Sequence, residues 1–228
     1  MVEVYALSLP ERQDDNTYRK LLSCVDKHKQ ERIRKFHRWE DAYRSLLGDV
    51  LVRCVISEKY SLPIQEIGFY QDFYGKPYVK DLAGFHFNLS HSGDWIVCAV
   101  DSTPVGIDIE KIATCDLSLA KRFFTKKEYK WLVDRSEQEK DRSFFELWTM
   151  KESYIKAVGR GLSIPLDSFE IKRMPSGLMA VMAGGSATGY TIKNYYIDCD
   201  YVLSVCSIKR QFSEKIQIKS VNELINDM

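Results

Sequence analysis

Three acidic side chains and one lysine stand where they could hold a cation and move a proton. The segment Val105-Gly-Ile-Asp-Ile-Glu110 alternates apolar and polar residues, as a strand with one buried face does. Ile107 and Ile109 then point one way, and Asp108 and Glu110 the other. Two carboxylates on one face repel each other unless a cation lies between them. Mg²⁺ is typically held by one or two carboxylates plus substrate phosphates. A solvated polar face is the alternative for so short a motif. Farther on, Glu152 and Lys156 lie four apart in Trp148-Thr-Met-Lys-Glu-Ser-Tyr-Ile-Lys156. On a helix they share a face beside the apolar stripe of Phe144, Leu147, Trp148, Ile155 and Val158. They read as a surface ion pair worth about 0.3–0.5 kcal/mol. The other reading is a third carboxylate for metal or base work, with a cation beside a leaving phosphate.

Groups suited to anions lie upstream. Phe85-His-Phe-Asn-Leu-Ser-His91-Ser-Gly93 reads as an alternating strand entering a polar turn, with Ser90, His91 and Ser92 at its exposed end. His91 could donate to a phosphate there, or serve only the turn. His28, His37 and His86 read as structural or solvated. Residues 27–38 carry Lys27, Lys29, Arg32, Arg34, Lys35 and Arg38, with Lys29 and Arg32 on one helical face and Arg44 one helix on. Such a run is usually a solvated face. Yet lysine plus arginine total 33 against 32 for aspartate plus glutamate, so clustered cations fit a polyphosphate better than long DNA. Lys76 adds a cation on the turn Tyr74-Gly75-Lys-Pro77. No Walker A, G-x-G-x-x-G or G-x-S-x-G pattern is present. Neither a nucleic acid nor a membrane is an expected partner.

The elements that must carry these residues follow from periodicity. Asp26 can cap a short helix over 27–36. A long helix over 39–60 buries a stripe through Ala42, Leu46, Leu47, Val50, Leu51, Cys54 and Val55. Strands are predicted at 67–71, 85–89 and 95–100. The runs 95–100 and 105–110 flank Asp101-Ser-Thr-Pro104 and read as a hairpin. The second half repeats this order. Thr125-Lys-Lys-Glu128 is a capping box, a helix over 140–158 stops at Gly159-Arg-Gly161, and strands follow at 169–173, 178–182, 190–197 and 201–208. The expected fold is therefore α+β. Two similar halves, 1–102 and 103–228, are related by a pseudo-twofold, each a long helix on an antiparallel meander. The tail after Lys209 shows no pattern. The 228 residues are 45% hydrophobic and 29% charged, ordinary for a globular chain. Residues 1–10 read as a first strand rather than a signal peptide, and no apolar run nears the ~20 residues needed to span a bilayer. Cys24, Cys54, Cys98, Cys115, Cys199 and Cys206 include no C-x-x-C pair, so reduced thiols in a cytoplasmic protein are expected.

In order and spacing, Tyr74-Gly-Lys-Pro, Phe87-Asn-Leu-Ser-His-Ser, Gly106-Ile-Asp-Ile-Glu and Trp148-Thr-Met-Lys-Glu-Ser-Tyr-Ile-Lys closely resemble the 4′-phosphopantetheinyl transferases. Together with Trp39-Glu-Asp-Ala-Tyr-Arg-Ser-Leu-Leu-Gly-Asp, they look like the surfactin-synthetase-activating (Sfp) type. The resemblance extends to about Ser207, and the shorter holo-acyl-carrier-protein synthase type resembles one half of the chain. It implies transfer of phosphopantetheine from coenzyme A to a serine of an apo peptidyl or acyl carrier protein. It further implies Mg²⁺, with Mn²⁺ as a substitute, on Asp108, Glu110 and Glu152, with Glu152 also the base and Lys156 at the leaving phosphate. His91, Lys29 and Ser45 would hold the 3′-phosphate. Arg32 and Lys76 would cover the rest of the nucleotide, with Arg44, Gly75, Pro77 and Ser90 adjoining the coenzyme. Arg32 stands where a lysine is familiar, and Ser45 where a threonine is. The carrier is expected to dock on Gly161, Leu162, Ile164 and Met182, and the protein to be a monomer serving peptide, polyketide or fatty-acid synthesis. A catalytically silent coenzyme A or carrier-binding module of the same fold would lack a metal carboxylate, and none is lacking.

Overall fold

The computed structural model describes residues 1–10 and 15–226. The chain opens as strand β1 (Val2–Ser8), which buries Val2, Val4 and Ala6 on one face and Tyr5 and Leu7 on the other. Helix α1 (Asp15–Ser23) precedes α2 (Lys27–Ile33), whose first turn is fixed by Asp26 accepting the Lys29 amide at 2.9 Å. The long α3 (Trp39–Tyr60) ends at Ser61 in the left-handed region. Strands β2 (Phe69–Gln71), β3 (Pro77–Val79), β4 (His86–Ser92) and β5 (Trp95–Asp101) follow.

The second half begins with β6 (Val105–Lys111), then α4 (Leu117–Phe123) and α5 (Lys126–Val133), the latter opened by a complete Thr125/Glu128 capping box. Helix α6 (Glu137–Val158) stops at Gly159, whose φ of 83° suits a residue without a side chain. Strands β7 (Phe169–Arg173), β8 (Met179–Ala183), β9 (Ser186–Tyr195) and β10 (Tyr201–Ser207) complete it. The tail forms β11 (Phe212–Lys219) and α7 (Val221–Asn226).

Two sheets result, in the orders β11-β1-β5-β4 and β6-β10-β9-β8-β7, with β2 and β3 as a separate ribbon. Helix α3 packs on Tyr5, Leu7, Ile96, Cys98 and Val100 of the first sheet, and α6 packs on the second. Between the sheets, Val2, Val4, Ala6, Val97 and Ala99 meet Val105, Ile107, Ile109, Leu203 and Val205 in a third apolar cluster. The mixed α+β class is as expected.

Four features differ from the sequence reading. The runs around Asp101–Pro104 are not a hairpin. Both edges of β5 are taken, by β1 and β4, so the chain crosses to the other sheet and β6 pairs with β10. The polar residues Ser90, His91 and Ser92 lie within β4 rather than in a turn beyond it. Helices α1 and α4 are additional. The patternless tail forms regular elements: β11 runs parallel to β1, and α7 buries Val221 and Leu224 in the core around α3.

One buried device recurs in both halves. Arg53 of α3 gives Nη1 to the carbonyls of Ile64 and Ile67, sits 4.8 Å over the Phe69 ring and pairs through Nε with Asp49 at 2.5 Å. Lys151 of α6 gives Nζ to the carbonyls of Leu166 and Phe169, sits 4.3 Å over the Phe169 ring and pairs with Glu128 at 2.9 Å. Each cation ties its helix to the turn that feeds its own strands.

Candidate active site

Strand β6 is an edge of its sheet, so its outward N–H groups need partners. Side chains of β4 supply them. Ile107 N donates to Asn88 Oδ1 at 2.9 Å, Ile109 N to Ser90 Oγ at 3.4 Å and Lys111 N to Ser92 Oγ at 3.0 Å. The two hydroxyls donate onward, Ser90 to Asp108 Oδ1 and Ser92 to Glu110 Oε2, both at 2.9 Å. Strand β4 of the first half thus orients both carboxylates of the second.

Helix α6 closes the other side. A Cβ on Gly106 would fall 2.0 Å from the Ser153 carbonyl and 2.4 Å from the Ala157 nitrogen, so glycine lets helix and strand backbones touch. That approach brings Glu152 and Lys156 over β6. Lys156 Nζ lies 2.6 Å from Asp108 Oδ1 and 3.1 Å from Ser90 Oγ. Lys156 therefore pairs across to β6, which removes the surface-pair reading of Glu152 and Lys156.

Negative charge exceeds positive at this point. Burial pushes the Asp108 carboxyl up, against the pull of Lys156 and the bond from Ser90. Glu110 is raised by burial and by the Asp108 charge, with Ser92 opposing. Glu152 is raised by burial, then by Asp108, with Lys156 opposing. Asp108 Oδ2 is buried with no hydrogen-bond partner. An orphaned carboxylate oxygen among three crowded acids, with one lysine to offset them, fits a hard divalent cation. Among the described residues, the three ligating side chains whose donor atoms lie within 4.8 Å of one another are instead Asp198, Cys199 and Asp200, at the turn before β10. The ligating oxygens of Asp108, Glu110 and Glu152 stand farther apart than that in this structure, so the fit rests on the orphaned Asp108 oxygen and the uncompensated charge.

The basic residues fall into separate groups. His91 lies on the opposite face of β4 from Ser90; burial and the charges of Arg44 and Lys156 push its pKa down. Arg44 Nε bonds the Gly93 carbonyl at 2.9 Å and its Nη1 bonds Asp41 at 2.8 Å. Lys29 Nζ stands 3.8 Å from Asp49, and burial lowers its pKa. Ser45 is half-buried one helical turn before Asp49, and Arg32 is exposed on α2.

The family model described as "4'-phosphopantetheinyl transferase superfamily" matches residues 104–206, and "4'-phosphopantetheinyl transferase, N-terminal" matches residues 12–103. "4'-phosphopantetheinyl transferase Sfp" of Bacillus subtilis (strain 168) is 43% identical over 226 residues, covering 98% of this chain and 100% of the relative. "4'-phosphopantetheinyl transferase psf-1" of Bacillus pumilus is 37% identical over 99% of this chain and 98% of its own. The chain belongs to the 4′-phosphopantetheinyl transferases. It transfers phosphopantetheine to carrier proteins, and nothing supports the silent-module alternative. The holo-[acyl-carrier-protein] synthase of Helicobacter pylori, solved in complex with coenzyme A, aligns at TM-score 0.36 and 18% identity over 45% of this chain and 96% of its own.

Within this transferase, the turn holding Gly75 is tied by Asp72, whose Oδ1 accepts the amides of Tyr74 and Lys76. Pro77 opens β3. The Lys76 ammonium is committed to carbonyls: Lys156 at 2.6 Å, Ala157 at 3.0 Å and Val105 at 3.3 Å. Of the residues expected to dock a carrier, Gly161 and Leu162 are exposed. Ile164 and Met182 are half-buried, Ile164 because it packs on the α6 core. Sequence reasoning gave no role to Asn88 or Gly106, and it read Ser92 as the end of an anion-suited turn rather than as a partner of Glu110. The alternation of Asn88, Ser90 and Ser92 against Phe87 and Leu89 was the available signal: one polar face on a strand that must still be buried.

Proposed function

We propose that this transferase takes phosphopantetheine from coenzyme A, with Mg²⁺ (Mn²⁺ as substitute) held by Asp108, Glu110 and Glu152. The serine oxygen of the carrier attacks the phosphorus bearing the pantetheine arm. A new P–O bond forms, the pyrophosphate P–O bond breaks, and adenosine 3′,5′-bisphosphate leaves. Glu152 accepts the serine proton, and a positioned carboxylate base contributes roughly 10²–10⁴-fold. Lys156, already at the site through Asp108, offsets charge on the leaving phosphate. A bound divalent cation supplies charge stabilisation at the pyrophosphate and alignment for in-line attack. His91, Lys29 and Ser45 take the 3′-phosphate, with Arg32, Arg44, Ser90, Gly75, Lys76 and Pro77 around the nucleotide. For Gly75, Lys76 and Pro77 the contact falls to the turn backbone, because the Lys76 ammonium is engaged elsewhere. Gly161, Leu162, Ile164 and Met182 receive the carrier.

The observation that carries this reading is the buried, unpartnered Asp108 Oδ2 beside Glu110 and Glu152. The same reading takes the halves, 1–102 and 103–228, as related by a pseudo-twofold. It places the protein as a cytoplasmic monomer serving peptide, polyketide or fatty-acid synthesis. Among the described residues, no helix is long and apolar enough to cross a membrane.

The test is incubation of an apo-carrier with coenzyme A and Mg²⁺, read by the intact mass of the carrier. A gain of one phosphopantetheine arm is expected, abolished by a chelator and reduced at least ~100-fold by Asp108→Ala. A fully active Asp108→Ala variant would refute the metal assignment.

A further inference from the structure

We propose that Ser92 is a positioning residue for Glu110, passing the hold of the β6 backbone on to that carboxylate and so setting the cation affinity of the site. The inference rests on the metal reading given above. Ser92 has no role in that reading.

A serine hydroxyl has one proton to give and two lone pairs to receive. At Ser92 a lone pair is taken by the Lys111 amide at 3.0 Å. The proton goes to Glu110 Oε2 at 2.9 Å. The chain of donation therefore has one direction, from the Lys111 N–H through Ser92 to the carboxylate. Both ends are on β6, two residues of strand that flank the same pleat, while the relay is on β4. With Oε2 tied, the other oxygen of Glu110 has a set direction.

Ser90 makes the parallel arrangement on Asp108, but its hydroxyl also receives Lys156 Nζ at 3.1 Å. Changing Ser90 would disturb the lysine, the aspartate and the expected coenzyme contact together. Ser92 touches Glu110 and the Lys111 amide alone among these groups. Lys111 is exposed, so water can take over its N–H when the hydroxyl is removed. Ser92→Ala should leave the fold intact and free the carboxylate.

The probe is Mn²⁺, titrated by the electron paramagnetic resonance of the free ion, on full-length protein with saturating coenzyme A. Loss of a group that orients a metal ligand weakens metal binding by roughly 10–100-fold, and Ser92→Ala is expected near the lower end, about tenfold. Ser92→Thr keeps the hydroxyl and should bind within about twofold of wild type. Coenzyme A affinity without Mn²⁺ and the thermal midpoint should match wild type in both variants. Equal Mn²⁺ affinity in Ser92→Ala and wild type would overturn the inference. So would equal weakening in Ala and Thr, or a fall in coenzyme affinity and thermal midpoint alongside, since each indicates packing rather than orientation. A wild-type protein that takes up no Mn²⁺ would instead remove the metal reading itself.

Discussion

The two halves share a packing skeleton and differ in what fills one face of it. Both long helices have 22 residues, and the buried cations Arg53 and Lys151 occupy the same place along them. With β1 set beside β6 and β5 beside β10, Tyr5 opposite Cys98 takes the place of Asp108 opposite Ser204. In the first half the strand–helix interface is closed by Tyr5, Leu7 and Cys54, all buried. In the second, the matching places hold Asp108, Glu110 and Glu152. The apolar version needs no help from outside. The acidic version is tolerable because β4 of the other half donates Ser90 and Ser92 to it and Lys156 reaches across. Each long helix packs on its own sheet, whereas the carboxylates are oriented where one half leans on the other.

That contrast breaks most severely at Gly106. In the first half the matching strand position is Glu3, where a side chain is accommodated. At Gly106 a Cβ meets backbone, not a side chain that could swing away. Gly106→Ala must push α6 off β6, and a shift of ~1 Å in catalytic geometry can cost about 100-fold in rate. The expected result is a loss of transfer of at least that size, with destabilisation of about 1–3 kcal/mol from overpacking. An active, equally stable Gly106→Ala protein would show that the close approach is not needed.

The matched cations give an intermediate effect and sharpen the comparison. Lys151→Met leaves buried Glu128 without its cation, held only by the Thr125 and Ile171 amides, and removing one partner of a buried ion pair costs about 3–5 kcal/mol. Arg53→Met leaves Asp49 with Lys29 still 3.8 Å away, so its loss should be smaller, about 1–3 kcal/mol. Urea unfolding of both variants checks the order. If Arg53→Met were the more damaging, the uncompensated carboxylate would not be what sets the order.

Much of this was legible in the sequence where a local rule governs. The α3 span 39–60, the capping box at Thr125 and the stop at Gly159 were read correctly because periodicity and capping act within a few residues. The shared face of Asp108 and Glu110 followed from strand alternation. What failed was decided at long range. A four-residue connection looked like a hairpin, yet β5 had no free edge to offer. The tail looked patternless because β11 needs only Phe212 buried to add to β1. Ser92 and Lys76 have partners in the opposite half, and nothing in their neighbours announces that.

Lys76 gives the smallest effect, and it tests how one half reaches into the other. The β7–β8 pair stays in its sheet, whereas β2–β3 stands apart and sends Lys76 to the end of α6. There burial depresses the ammonium to a pKa of about 8 from 10.5. Between those values the unfolded chain holds a proton that the folded chain releases, so stability rises with pH across the window. A full unit is worth about 1.4 kcal/mol, but the carbonyls at the helix end favour the charged form and oppose the shift. A gain of about 1–2 kcal/mol from pH ~7.5 to ~10 is therefore expected relative to Lys76→Met, which lacks the group. Urea unfolding of both proteins at several pH values measures it. Parallel stability curves would mean that Lys76 titrates as if in water, and that the hairpin does not seal against α6 in solution.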